Sequence, residues 1–328
     1  MASQRGPRSC APRSSPGKVA GAGTVVEGLT KTYRKGKVHA LRGVSLEIRT
    51  GEAFGIIGPN GAGKTTLMGC MLGSLRPDGG RITIEGLEPD DLAVRAVTGY
   101  LPERLSFDRW MTGWDFLAYH HALARQPAER RTKDLDVALE SVGLEPSAWG
   151  QCLKLYSRGM LQRLGFAQAI IGRPRFLYLD EPTSGMDPVG VVMIRRIVDQ
   201  MRQDGVTIIL NSHQLDQVER FCDRVAYVRA GEVESVEVLA AGSTARRVVR
   251  ISVSGDLPPA ERLAELAREA GAEYLGVATR WARFSVASDE GAVALVRVFV
   301  HAGVPVMEAM PEEGRLERLF FQGPGTGS

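Results

Sequence analysis

The sequence predicts an α/β fold, a mixed sheet with a helical subdomain, followed by a small α+β ferredoxin-like domain. Three observations predict it. The apolar run Phe54-Gly55-Ile56-Ile57 leads directly into the glycine loop Gly58-Pro59-Asn60-Gly61-Ala62-Gly63-Lys64-Thr65-Thr66 and then into a helical stretch. Apolar runs at 176–179, 206–210 and 224–228 are continuous rather than alternating and are separated by helical segments, as in strands buried on both faces of a parallel sheet. From about residue 245 the pattern begins again, as strand, helix, two strands, helix and strand.

Each element follows from its residues. Residues 1–23 are rich in Gly, Pro, Ser and Ala with no apolar period, so they read as a disordered basic tail. That tail has neither the apolar core of a secretory signal nor the amphipathic spacing of a transit peptide. Stretches at 24–26 and 44–48 alternate like strands around a polar loop that contains Tyr33. Asp78-Gly79-Gly80 is a turn before the short strand 81–84. Between 104 and 155 the chain becomes helical: Thr112 and Asp115 form a helix-start box, flanked by Met111 and Phe116 at staple spacing. His120 and His121 are adjacent, which puts them on different faces of that helix and argues against a metal pair. Helices near 188–203 and 214–221 separate the later strands. The domain boundaries expected are therefore 24–238, with the helical subdomain at about 104–165, and 245–322.

Composition excludes several classes. The net charge of +3 resides in the tail, where Arg5, Arg8, Arg13 and Lys18 precede the first acidic residue, Glu27. The remainder has no basic excess, so no nucleic acid is expected as a partner. Cys10, Cys70, Cys152 and Cys222 lie far apart without metal-binding or disulfide spacing. No stretch approaches the roughly 18 apolar residues that span a bilayer.

The chemistry is concentrated in a few segments. Gly58 to Thr66 fits G-x-x-x-x-G-K-[ST], the cradle of a P-loop NTPase nucleotide-binding domain. Gly58, Gly61 and Gly63 let backbone N–H groups turn toward phosphate oxygens, Lys64 adds a cation, and Thr65 offers a hydroxyl to Mg²⁺. A nucleoside triphosphate is the expected ligand. Asp180 and Glu181 stand at the end of the strand 176–179, where a metal holder and a residue for the attacking water are needed. His213 follows another strand at the same sheet edge and can reach a γ-phosphate. Ser157 and Gly159 open an amphipathic helix, presenting a hydroxyl and free N–H groups as a second anion site.

Taken in order, Gly58 to Thr66, the segment 156–163, Phe176 to Glu181, Ser184-Gly185-Met186-Asp187 and His213 closely resemble the nucleotide-binding domain of ATP-binding cassette transporters over roughly residues 24–235. The resemblance implies ATP and Mg²⁺ as ligands and ATP hydrolysis as the activity. It gives Tyr33 the role of stacking on adenine, and Gly58, Asn60, Gly61, Gly63, Lys64, Thr65 and Thr66 that of the phosphate loop. Asp180 becomes the metal-holding aspartate, Glu181 the catalytic base and His213 the switch histidine, while Ser157 and Gly159 match the signature and Asp187 the D-loop.

In this family the signature of one subunit completes the ATP site of another, so a second copy, as a homodimer, is implied. Two departures stand out. Tyr156, Arg158 and Met160 replace three members of the usual Leu-Ser-Gly-Gly-Gln signature, and Glu103 stands where Gln is common, as a further carboxylate able to ligate Mg²⁺. Both variants, and a C-terminal unit ending at Leu316–Phe321, resemble the exporter subgroup that pairs with a separate integral-membrane permease of the ABC-2 type. The expected location is then the cytoplasmic face of the cell membrane, bound peripherally. A soluble cassette ATPase, for example in iron–sulfur assembly, is the alternative, although it leaves the C-terminal unit unexplained.

Overall fold

A computed structural model describes residues 22–33, 36–213, 215–239, 247–278, 281–287 and 289–311. The expected basic tail up to residue 21, Cys10 and the segment 316–321 lie outside the described residues.

The chain opens with a long hairpin, β1 (Ala22–Tyr33) and β2 (Val38–Arg49). Together with β4 (Gly79–Ile84) it forms an antiparallel sheet in the order β2-β1-β4. The polar loop expected around Tyr33 is much shorter than the sequence reading had it. Thr32 pairs with His39 and Tyr33 with Val38, so the β-branched and aromatic residues carry the ladder almost to the hairpin tip.

The second sheet holds the site. Its order is β5 (Thr98–Leu101), β6 (Phe176–Asp180), β7 (Thr207–Asn211), β3 (Ala53–Ile57), β8 (Arg224–Arg229) and β9 (Glu232–Val238). All neighbours are parallel except β8 with β9. Every residue of β3, β6 and β7 is buried, which is the physical reason for their continuous apolar runs.

One face of this sheet packs Phe54, Ile56, Tyr178 and Ile209 against the hairpin sheet and against helix α1 (Lys64–Met71). The other face packs Ile57, Leu179 and Leu210 into a core shared with the helical region.

Helix α2 (Leu92–Ala96) precedes the edge strand β5. The helical region contains α3 (Gly113–Leu123), α4 (Arg131–Ser141), α5 (Pro146–Trp149) and α6 (Arg158–Ile170). The helix-start box forms as expected: Asp115 N donates to Thr112 Oγ1 at 3.0 Å. His121 is fully buried with Nε2 3.3 Å from Asp134 Oδ2, so it ties α3 to α4. Helices α7 (Pro188–Gln203) and α8 (Leu215–Phe221) complete the alternation.

Beyond it, β10 (Arg247–Val253), α9 (Ala260–Glu269), β11 (Glu273–Ala278), β12 (Trp281–Val286), α10 (Asp289–His301) and β13 (Val306–Pro311) form a separate antiparallel sheet in the order β11-β12-β10-β13. Val249, Ile251, Phe284, Leu263 and Phe299 supply its own core.

Candidate functional site

The loop after β3 is shaped by close approach of two backbone carbonyls. A side chain on Gly58 would collide with the Val228 carbonyl oxygen, and one on Gly63 (φ 106°) with that of Ala40. Glycine is therefore obligatory at both positions, and the loop is held by β8 on one side and the first hairpin on the other. Gly231 N donates to Ala62 O at 2.9 Å, which fixes the loop from the β8–β9 turn.

Gly63 caps α1 with no side-chain hydrogen bond, so the N–H groups of the first turn have no side-chain acceptor. That arrangement, with the helix dipole behind it, suits an anion. Lys64 lies across the loop, its Nζ donating to Gly58 O at 2.8 Å and Pro59 O at 3.1 Å. Burial lowers the Lys64 pKa, while Glu181, Asp180 and Glu103 oppose that by favouring the ammonium. Thr65 is exposed at the mouth of the loop and Thr66 half-buried behind it; Asn60 and Gly61 are exposed.

Asp180 ends β6 and is only 2% exposed. Asn211, its register partner at the end of β7, donates Nδ2 to Asp180 Oδ1 at 2.6 Å. Burial raises the Asp180 pKa to about 6, helped by the neighbouring charges of Glu103 and Glu181 and opposed by Asn211 and Lys64. The carboxylate is thus short of positive partners, and the Asn211 Oδ1 beside it is buried without a hydrogen-bond partner. A divalent cation at this point meets the missing charge, so the donor set fits Mg²⁺.

Glu181 has a left-handed backbone, φ 50°, unusual for a residue with a side chain. Its N–H donates to Asn211 O at 2.9 Å, and its carboxylate accepts from Ser212 Oγ at 3.1 Å and from His213 N at 2.9 Å. The His213 ring Nδ1 lies 2.7 Å from Glu181 Oε1, close enough to donate to it. The strained turn therefore aims Glu181 at the segment following β7 and brings His213 onto it. Glu103, exposed just after β5, acts electrostatically on both Lys64 and Asp180, which places it at the rim of the same cluster.

The other expected residues stand apart from the cradle. Ser157 caps α6, its Oγ accepting from Met160 N at 3.2 Å, and Gly159 follows in the first turn. Among the described residues no hydrogen bond joins either of them to the glycine loop. Asp187 caps α7, accepting from Gly190 N at 3.2 Å and from Arg163 Nη2 at 2.9 Å. The Arg163 bond holds its carboxyl below the usual range. Tyr33 is 37% exposed at the hairpin tip, with the Lys31 ammonium 5.8 Å from its ring.

Asn211 and Ser212 went unassigned in the sequence reading, as did Arg158, Gln162 and Arg163. Gln162 Nε2 donates to Pro182 O at 3.1 Å and Glu181 O at 3.3 Å, bracing the Glu181 turn from α6. A polar residue directly after a buried strand was the available signal for Asn211; spacing alone did not point to the other four.

Residues 41–184 match the family model for ABC transporters. The chain is 42% identical over 211 residues to an uncharacterized ABC transporter ATP-binding protein of Synechocystis, covering 62% of this chain and 60% of that protein. It is 36% identical over 238 residues to a fluoroquinolones export ATP-binding protein of Mycobacterium tuberculosis, covering 70% of this chain and 76% of the relative. A methionine import ATP-binding protein of Caulobacter vibrioides also matches, at 34% identity over 283 residues, with 75% and 83% covered. A dimeric, post-hydrolysis ATP-binding cassette bound to ADP and Pi superposes with a TM-score of 0.62 at 25% identity, over 66% of this chain and 99% of that one. The chain spans 60–63% of the length of its two cyanobacterial relatives.

Proposed function

The chain belongs to the ATP-binding cassette transporter family, and from that premise we propose that it is the ATP-hydrolysing subunit of a separate integral-membrane permease, an exporter of the ABC-2 type. The observation that carries the ATPase reading is the convergence of Asp180, Glu181 and His213 beside Lys64 at one sheet edge. Mg²⁺-bound ATP, when present, supplies the phosphoanhydride bond to be cleaved and a metal to offset its charge.

The chain's own residues do the rest. The glycine-loop N–H groups and Lys64 would receive phosphate oxygens, Thr65, Asp180 and Glu103 would hold the metal, and Tyr33 would stack on adenine. Glu181 accepts a proton from the attacking water, and His213 keeps that carboxylate oriented. Among the described residues no hydrogen bond joins Ser157 or Gly159 to their own cradle, which supports their serving the nucleotide of a second subunit, with Asp187 bonded to Arg163 of the same helix. A homodimer follows from the presence of every one of these residues in a single chain.

A membrane partner is supported by a groove of about 360 Å³ between α2, β5, α3 and α6. Exposed Leu92 and Leu123 and half-buried Tyr100 form its apolar wall, with Arg95 and Arg125 on its rim. Such a groove suits a short amphipathic helix bearing a carboxylate. Among the described residues no helix is long and apolar enough to cross a membrane. In this reading the groove is the contact that holds the chain at the cytoplasmic face. The export direction rests on the resemblance of the signature variant around Arg158 and of Glu103 to the ABC-2 subgroup.

Glu181→Gln tests the assignment. ATP binding should persist while turnover falls roughly 10²–10⁴-fold, and unchanged turnover would refute the base. Co-purification with a multi-span membrane protein tests the partner, and substrate-loaded vesicles made with that protein test the direction.

A further inference from the structure

The signature residue replaced by Arg158 is not idle. Arg158 Nη2 donates to Ser184 Oγ at 2.9 Å, although the two residues are far apart in sequence. Its aliphatic stem lies over Gly185: a Cβ built there would sit 2.5 Å from Arg158 Nε and 2.8 Å from Cδ. Gly185 has φ 76°, so both its backbone and its lack of a side chain suit the arginine above it.

The contact belongs to a larger seam. Gln162 donates to the carbonyls of Glu181 and Pro182, and Arg163 donates to Asp187. One end of α6 therefore grips the whole segment from Glu181 to Asp187. Two tight turns stiffen that segment internally, with Ser184 N donating to Glu181 O and Met186 N to Thr183 O, both at 3.1 Å. A shift of the α6 N-terminus cannot leave the Glu181 turn unmoved, because Ser184 lies three residues beyond Glu181 and is held by both.

We propose that Arg158 is a positioning residue that latches the signature helix to the segment 184–185, so that occupancy of the partner subunit's nucleotide is transmitted to Glu181 of the same chain. The inference rests on the two-nucleotide dimer proposed above. With the glycine usual at this position, α6 would keep the hydrogen bonds of Gln162 and Arg163 on the seam, none of which goes to Ser184 or Gly185 among the described residues. Arg158 adds the contact nearest to Ser157, the residue that would meet the partner's phosphate.

The test compares Arg158→Gly, Arg158→Lys, Ser184→Ala and the Arg158→Gly/Ser184→Ala double variant with the parent chain. Amide hydrogen exchange over residues 183–187 is read in the nucleotide-free protein, and ATPase activity is read against ATP concentration. Loss of one hydrogen bond should speed exchange about three- to tenfold in Arg158→Gly and Ser184→Ala, with no further gain in the double variant. The Hill coefficient should fall toward 1, with kcat reduced and KM little changed, and Arg158→Lys should recover part of both readouts. Unchanged exchange and unchanged cooperativity in Arg158→Gly, or fully additive effects in the double variant, would overturn the latch. ATP-driven dimerisation of the Glu181→Gln protein is measured alongside. Its absence removes the dimer reading and the transmission with it, whereas intact dimerisation with no response to Arg158→Gly removes the latch alone.

Discussion

Replacing Asp180 by asparagine should make the nucleotide-free protein more stable while destroying its response to Mg·ATP. Burial raises the Asp180 pKa from 3.8 to about 6. A shift of roughly two units corresponds to about 3 kcal/mol of preference for the protonated form. The sign follows from proton counting. Between pH 3.8 and about 6 the folded state holds a proton that the unfolded state has released, so stability falls as pH rises through this window. Above it the full cost of an ionised, buried carboxylate is present, and below it none is.

Asparagine removes that cost and keeps the hydrogen bond, because its Oδ1 can still accept from Asn211 Nδ2. Its amide also adds a donor in the neighbourhood of the unpartnered Asn211 Oδ1. At pH 8 the variant should gain up to about 3 kcal/mol, a rise of roughly 6–12 °C in Tm for a cooperative unit of about 150–250 residues. Scanning fluorimetry of the nucleotide-free protein from pH 4 to 8 should show the gain shrinking toward zero at the acid end. Added Mg·ATP should stabilise the parent and leave the variant unmoved. A variant less stable than the parent at pH 8, or a pH-independent difference, would refute the charge-burial reasoning.

Three further outcomes follow from the site. Gly63→Ala places a methyl against the Ala40 carbonyl at a left-handed φ and should abolish nucleotide binding at a cost of about 2 kcal/mol or more, read by ATP titration and thermal melting. His213→Ala removes a 2.7 Å contact to Glu181 without touching the cradle, so kcat should fall about 10-fold or more while ATP affinity is kept, as single-turnover and binding measurements would show. Thr112→Ala removes the α3 cap and should cost about 1 kcal/mol in urea unfolding with little change in ATP affinity.

The parallel core was legible in the sequence because burial on both faces leaves the middle of a strand no polar positions: β3, β6 and β7 are buried throughout and carry polar residues only at their ends. The glycine loop was legible for a related reason: a carbonyl pressed against Gly58 or Gly63 excludes every side chain, so the constraint is written in the residue type. The hairpin was misjudged because its ladder extends through polar Thr30, Thr32 and His39, whose alternation has no hydrophobic contrast. Asn211, Ser212 and the α6 seam were hidden because each acts across the fold, joining positions that only the parallel register and the packing of α6 bring together.

Two features of the site run against stability, and they stand at adjacent residues. Asp180 is buried with too little positive charge, and Glu181 holds a left-handed backbone that costs about 1–3 kcal/mol. The first is only partly relieved within the chain: Asn211 donates to Asp180 and Lys64 favours its carboxylate, but the ammonium itself is bonded to the carbonyls of Gly58 and Pro59. A fold that needed only to persist would have an amide at 180 and a glycine at 181. A divalent cation held there would offset the first, and the second orients a carboxylate whose other contacts, Ser212 and His213, come from the segment after the neighbouring strand. Both costs therefore stand at the residues proposed to hold the metal and activate water, where a site has a use for them that a merely stable fold does not.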